Sequence, residues 1–244
     1  MEFEYVNIEL DRYTVHKLIS PEIEIAELDE HGYNYHDFVL IKYVNKKDVC
    51  EQVQLLAWKY KQSEKTICLI GCVKEDIECK YSSKINVVPK DCSNLFDLSF
   101  SCFSDSQYEL LIDLCLGTRT GLLHGDPQDW RYFGDKRVGN SFALVSAFSN
   151  TYSQSMSDVC KQINMVKDIN HFILAFMLPR NTLSTNEWRD YPIPYGSAMD
   201  DLMAQIENHV TDYRDSFCIV VDAERVVRNY EIGLALIYQI KSNS

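Results

Sequence analysis

The chain has 244 residues, of which 46% are hydrophobic and 25% charged, and its formal net charge is −12. Those proportions describe a folded chain rather than a disordered one, and the acidic balance argues against a nucleic-acid surface, which needs clustered Lys and Arg. No apolar run approaches the ~18 residues of a membrane span, so the expectation is a soluble protein without membrane insertion.

The N-terminus, Met1-Glu2-Phe3-Glu4-Tyr5, is too acidic for a signal peptide. The nine cysteines are therefore expected as thiols in a reducing cytoplasm. Cys68, Cys72, Cys79, Cys92 and Cys102 form no C-x-x-C pair, and no ligand spacing fits zinc. Lys42, Lys46 and Lys47 make the densest basic cluster, and it is small. None of the nine glycines forms a dinucleotide or P-loop pattern, so no nucleotide cofactor is expected.

In chain order, Tyr5 to Leu10 and Ile23 to Leu28 alternate as strands do and read as edge strands, with Asp29-Glu30-His31-Gly32 as a turn. Asp37 to Ile41 is a buried strand, and Lys42 to Lys47 a polar loop. A helix of about 15 residues follows from Asp48, with Val49, Val53, Leu56, Ala57 and Tyr60 on one face. Thr66 to Val73 is the next buried strand, which completes a parallel strand–helix–strand unit with a right-handed crossover. Ile85 to Pro89 reads as a short strand ended by its proline. Leu95 to Phe100 reads as helical material. Tyr108, Leu111, Ile112 and Cys115 continue it at helical spacing to Leu116, and Gly117 and Gly121 close it.

The second half repeats the alternation. Asp129 to Val138 is expected to be helical, Ser141 to Phe148 a strand, Met156 to Ile163 a helix and His171 to Leu178 a strand. The span from Pro179 to Pro194 reads as a surface connection, within which Tyr191 to Tyr195 is an ordinary packed loop before it is a recognition loop. Ala198 to Val210 is an amphipathic helix, and Phe217 to Val221 and Gly233 to Ile240 complete the sheet. Trp58, Trp130 and Trp188 are expected to pack, since no basic stripe interleaves with them for base stacking. Asp222 to Arg225 reads as a turn with a surface ion pair of little energetic weight.

The centre of the chain reads Gly121-Leu122-Leu123-His124-Gly125-Asp126-Pro127-Gln128-Asp129-Trp130. Pro127 suits the first position of a helix and Asp126 its N-cap, where a carboxylate takes up orphan backbone N–H groups. The competing reading is that Asp126 and Asp129 are displayed to something outside the domain. His124 beside two carboxylates would suit a general base or metal ligand, but a solvated turn is the plainer reading and no nucleophile stands nearby.

This stretch, preceded by helical material and followed by strand, resembles the synergy loop of the FtsZ/tubulin superfamily. There the pattern is Gly-Leu-Ile followed by Asn-x-Asp-x-x-Asp. Both aspartates keep their spacing here, with His124 in place of the Asn and Leu123 in place of the Ile. Ile85 to Asp91 is similar to the family's Ile-x-Ile-Pro-Asn-Asp segment, and the likeness covers roughly residues 37–240. It implies an α/β fold in which residues 1–116 form a truncated, degenerate GTPase-like half with a parallel sheet, ending in a core helix. Residues 117–244 would then form an α+β domain like the family's activation domain. The family's glycine signature loop is lost. Lys42 to Asp48 stands in its place, with side chains that fill the phosphate space, and Lys46 and Lys47 read as solvated surface lysines rather than anion ligands.

The resemblance implies a non-hydrolysing, nucleotide-free protein, not an enzyme. It would cap or bind FtsZ or another tubulin-like subunit and regulate filament assembly, with partner-binding residues His124, Asp126, Asp129 and Trp130. The alternative is a cytoplasmic scaffold that self-associates or binds an unrelated protein partner. In that case Asp126 and Asp129 only cap their helix, and hydrogen bonds confined to that helix would favour it.

Overall fold

A computed structural model describes residues 2–10, 13–32, 35–44, 46–73, 96–100, 104–120, 126–134, 139–163, 169, 171–178, 204–206, 216–222 and 232–240. Ten strands and four helices occur among them. Strands β1 (Glu4–Glu9), β2 (Tyr13–Ile19), β3 (Ile23–Glu30) and β4 (Phe38–Val44) make an antiparallel meander. Helix α1 (Lys47–Lys61) then crosses to β5 (Ile67–Val73), which is parallel to β4. Strand β6 (Leu98–Phe100) lies parallel to β5, and α2 (Asp105–Thr120) and α3 (Pro127–Tyr132) lead from it to β7 (Ser141–Ser149). Helix α4 (Tyr152–Ile163), β8 (Phe172–Leu178), β9 (Phe217–Asp222) and β10 (Ile232–Gln239) follow. One sheet holds all ten strands in the order β1-β2-β3-β4-β5-β6-β7-β10-β8-β9, with β10 antiparallel to both its neighbours. The fold is therefore mixed α/β. No helix among the described residues is long and apolar enough to cross a membrane.

The helices divide between the two faces of the sheet. Val49, Val53, Ala57 and Tyr60 of α1 pack on Ile25, Val39, Ile41, Cys68 and Ile70. Met156, Val159 and Ile163 of α4 pack on Phe172, Leu174, Leu234 and Leu236 of the same face. Helix α2 covers the other face. Its residues from Leu110 to Cys115 are all buried, and a helix enclosed on every side must be walled by more than a flat layer. It lies along β4: the Tyr108 hydroxyl near its start donates to the Leu40 carbonyl, and Thr118 near its end holds Trp130, which packs on Phe38. Yet α2 also touches β9, six places further along the sheet. A flat sheet would hold those strands about 29 Å apart. The sheet therefore curls, and every strand from β2 to β10 contributes side chains to the core around α2.

The units β4–α1–β5 and β6–α2–α3–β7 step across the sheet in the same direction with helices on opposite faces. Their crossovers are consequently of opposite hand, so one departs from the right-handed norm.

Several sequence expectations are corrected here. Leu98 to Phe100 is a buried strand, because a short apolar run has no periodicity that separates strand from helix. Lys42 to Val44 extend β4, and the aliphatic stem of Lys42 lies along the sheet with its ammonium 5.0 Å from the Tyr108 ring centroid. Gly117 does not end α2, which continues to Thr120. Helix α3 stops at Tyr132, where Phe133 turns extended and Gly134 takes φ +83°. Strand β2 was not anticipated at all. With it in place the expected parallel sheet of residues 1–116 begins instead as an antiparallel meander, and β3 is an interior strand that runs through Asp29 and Glu30 rather than an edge strand ended by a turn there. The expected strand Ile85–Pro89, the connection from Pro179 to Pro194 with its Tyr191–Tyr195 loop, Trp188, and most of the helix Ala198–Val210 lie outside the described residues, although 204–206 are helical.

Candidate functional sites: the acidic turn and the outer face of the first helix

The sequence Asp-Pro-Gln-Asp forms α3 by closing a capping box. Asp126 Oδ1 accepts the Gln128 N–H at 2.9 Å, and Asp129 Oδ2 accepts the Asp126 N–H at 3.0 Å. Pro127 occupies the first helical turn, where a missing N–H costs nothing. Both carboxylates are exposed, but their capping bonds run within their own helix. His124 lies outside the described residues.

Trp130 is fully buried, so its role is packing and it is not available to a partner. Its Nε1–H donates to Thr118 Oγ1 at 3.0 Å, and the Thr118 hydroxyl donates to the Leu114 carbonyl at 2.9 Å. The indole meets the Phe38 ring edge-on at 5.6 Å. The outer side of α3 grips the turn before β5. Gln128 Nε2 donates to the Lys65 carbonyl at 2.9 Å, and Arg131 donates to the Glu64 and Thr66 carbonyls.

Asp97, nearly buried, joins these parts. Its Oδ2 accepts the Cys68 N–H at 2.8 Å, while Oδ1 receives Lys61 at 3.2 Å and faces Arg131 Nε at 3.5 Å. One carboxylate thus ties the end of α1, the start of β5 and α3 together. The geometry around the acidic turn is that of a structural clasp.

The segment after Ile41, where a phosphate loop would stand in the resembling family, is also committed elsewhere. Lys42 is paired with Glu24 at 2.6 Å and Asp105 at 2.7 Å, and Lys46 with Glu22 at 2.7 Å. Burial lowers the pKa of Lys42, but its hydrogen bonds to Asp105 and Glu24 outweigh that and leave it raised.

A histidine–carboxylate chain runs over the convex face beside α1. His16 Nε2 lies 3.2 Å from Asp29, His36 bonds the same carboxylate, and the Tyr60 hydroxyl donates to Glu27 next to it. Among the described residues, no group of His, Cys, Asp and Glu has the geometry to hold a metal ion. Burial raises the thiol pKa at Cys50, Cys68, Cys115, Cys160 and Cys218, the last to about 11, which disfavours the thiolate a nucleophile requires.

The surface offers a different feature, missed in the sequence. Among the described residues, Leu55 is 71% exposed and Trp58 60% exposed on the outer side of α1, three residues apart and hence neighbours on one face. Asp48, Glu51, Lys59 and Gln62 are exposed polar residues of the same helix and its end. Trp58 was expected to pack. The signal was present in its position, which falls off the stripe Val49, Val53, Leu56, Ala57 and Tyr60. Tyr5 and Tyr132 are the other large exposed hydrophobic side chains among the described residues. No protein-family model matches this sequence, and no curated protein matches it significantly.

Proposed function

We propose that this chain is a cytoplasmic, non-enzymatic interaction protein that binds a protein partner through the outer face of α1. The observation that supports this reading is the exposed Leu55–Trp58 pair on a helix whose other side is fully packed. Burying a leucine is worth on the order of 1.5–3 kcal/mol. Tryptophan is the residue type most enriched at the energetic centres of interfaces, which are characteristically ringed by polar groups. Leu55→Ser/Trp58→Ser changes only exposed side chains, so the thermal unfolding midpoint is expected to stay within a few degrees of wild type. In cross-linking mass spectrometry from the host cell, the cross-links that wild type makes through α1 are expected to vanish. An unchanged cross-link set in the double variant sinks this reading.

A second reading keeps the resemblance to the FtsZ/tubulin superfamily, with a GTPase-like half over residues 1–116 and an activation-type half over 117–244. It is supported by a central, enclosed helix that leads toward an exposed pair of aspartates. On this reading the chain docks on the nucleotide-bearing end of a filament subunit through Asp126 and Asp129 and regulates assembly without hydrolysing nucleotide. The capping box accounts for both aspartates without a partner, which places this reading second. GTP hydrolysis and sedimentation of an FtsZ, titrated with this protein and with Asp126→Ala/Asp129→Ala, decide it. An effect at low molar ratio that is lost in the variant supports the reading, and no effect from either protein removes it.

A further inference from the structure

We propose that this chain forms a two-fold dimer through antiparallel pairing of β1 with β1 of a second copy, joining the two sheets edge to edge. The inference is independent of the α1 surface. It begins with the backbone of β1, which is one end of the sheet order. The Leu10 N–H donates to the Tyr13 carbonyl at 2.8 Å, which makes Leu10 and Tyr13 a hydrogen-bonded pair across the hairpin. Such pairs alternate along an antiparallel ladder. Ile8–Val15, Val6–Lys17 and Glu4–Ile19 therefore bond inward to β2. The N–H and C=O groups of Tyr5, Asn7 and Glu9 consequently point out of the sheet. Among the described residues β1 pairs with β2 alone, and no backbone hydrogen bond outside the ladders reaches them. A row of outward donors and acceptors is a template for one more strand.

The same alternation restricts what that strand can be. A two-fold axis perpendicular to the sheet sets β1 against its copy in antiparallel sense and keeps like faces together. Only residues with outward backbone groups can exchange hydrogen bonds, so odd residues must face odd residues, and any register shifted by one is excluded. Placing Asn7 on the axis uses all three residues whose backbone groups point outward. Tyr5 then faces Glu9 of the copy, Asn7 faces its own copy, and Glu9 faces Tyr5. Between them Val6 faces Ile8 twice, and these two side chains are already half-buried in each copy. In this register no carboxylate opposes a carboxylate. The next allowed shift toward the start of the strand sets Glu4 against Ile8 inside β1 and leaves Glu9 facing Phe3 beyond its end. The axis at Asn7 instead pairs the outward residues of β1 with one another and brings Glu4 against Leu10 only where β1 ends, so it is the favoured solution.

The side chains suit that axis. Asn7 Oδ1 lies 2.8 Å from His16 Nδ1, which the Tyr5 hydroxyl also meets at 2.9 Å. This arrangement leaves the Asn7 amide NH2 for the symmetry-related Asn7. Tyr5, 58% exposed in one copy, gains Glu9 of the other as a neighbour across the strands.

Sedimentation equilibrium of the full chain, from micromolar to sub-millimolar concentration, is expected to show the mass rise from 28.3 kDa toward twice that value. Asn7→Pro removes an N–H that no described residue of the same chain bonds, and edge strands tolerate proline. It is expected to keep its unfolding transition and remain at the mass of one chain. If that variant fails to fold, a cysteine pair decides. In the proposed register the two Asn7 Cα atoms lie about 5.5 Å apart, within disulfide reach. The two Glu9 Cα atoms lie about 14 Å apart, outside it. Asn7→Cys should therefore form a covalent dimer on mild oxidation, beyond the wild-type background, while Glu9→Cys should not. The proposal is overturned by a single-chain mass at every concentration, by a folded Asn7→Pro that still dimerises, or by cross-linking at position 9 instead of 7. Leu55→Ser/Trp58→Ser should dimerise as wild type does. Loss of the dimer in that variant would place the contact on α1 and also overturn the β1 assignment.

Discussion

Thr118 shows how much rests on one hydroxyl. It accepts from the Trp130 indole and donates to the Leu114 carbonyl inside a site with no exposed surface. Thr118→Val keeps the volume and removes the acceptor, which leaves a buried indole N–H unpaired at a cost of about 1–3 kcal/mol. Chemical denaturation is expected to show that loss with an unchanged slope. A midpoint equal to wild type would mean that water replaces the hydroxyl. At this scale the sequence told only part of the story. Asp126, Pro127 and Asp129 announce their capping box, because capping is a matter of residue type and spacing. The burial of Trp130 is not written locally, since it depends on Phe38 and Thr118 converging from elsewhere in the chain.

Among the elements, α3 is short and owes its place to its ends. Its capping box fixes one end, and Gln128 and Arg131 clasp the turn before β5. Asp126→Ala is expected to cost about 1 kcal/mol, the usual value for a lost N-cap, read as a lower denaturation midpoint. An unchanged midpoint would show that the clasp holds α3 without its cap and would return Asp126 to the partner-binding reading. Helix α1 was legible almost to the residue because five apolar side chains recur at helical spacing. Strand β2 was not, because His16 and Lys17 interrupt its alternation. Lys17 is held by Glu24 and Glu109, and the second of these comes from α2, far along the chain. Strand β6 is three residues long, too short for any period to declare itself.

On the scale of the whole molecule, the sequence carried the α/β class but not the opposite hands of the two crossovers. Periodicity says which side of a helix is apolar. It does not say which face of the sheet that side will cover. The curl of the sheet is invisible for the same reason, since it comes from α2 demanding walls on all sides. The run Leu110 to Cys115, in which Asp113 is the one polar residue, is where that demand is written, because every residue in it is buried and a helix turn with no exposed side needs enclosure and not a single contact.

That enclosure has a consequence for the order in which the chain is made. Val15, Leu28, Leu40 and Leu69 precede α2 in the chain, whereas Ile173, Met177, Ile219 and Ile237 follow it. At synthesis rates of about 5–20 residues per second, the later walls emerge many seconds after the helix they are to cover. During that interval α2 presents its apolar side to solvent on a chain still held by the ribosome. The nascent chain is thus expected to need shielding of that helix until the later walls are made, and slower translation of the last third of the message would prolong the need.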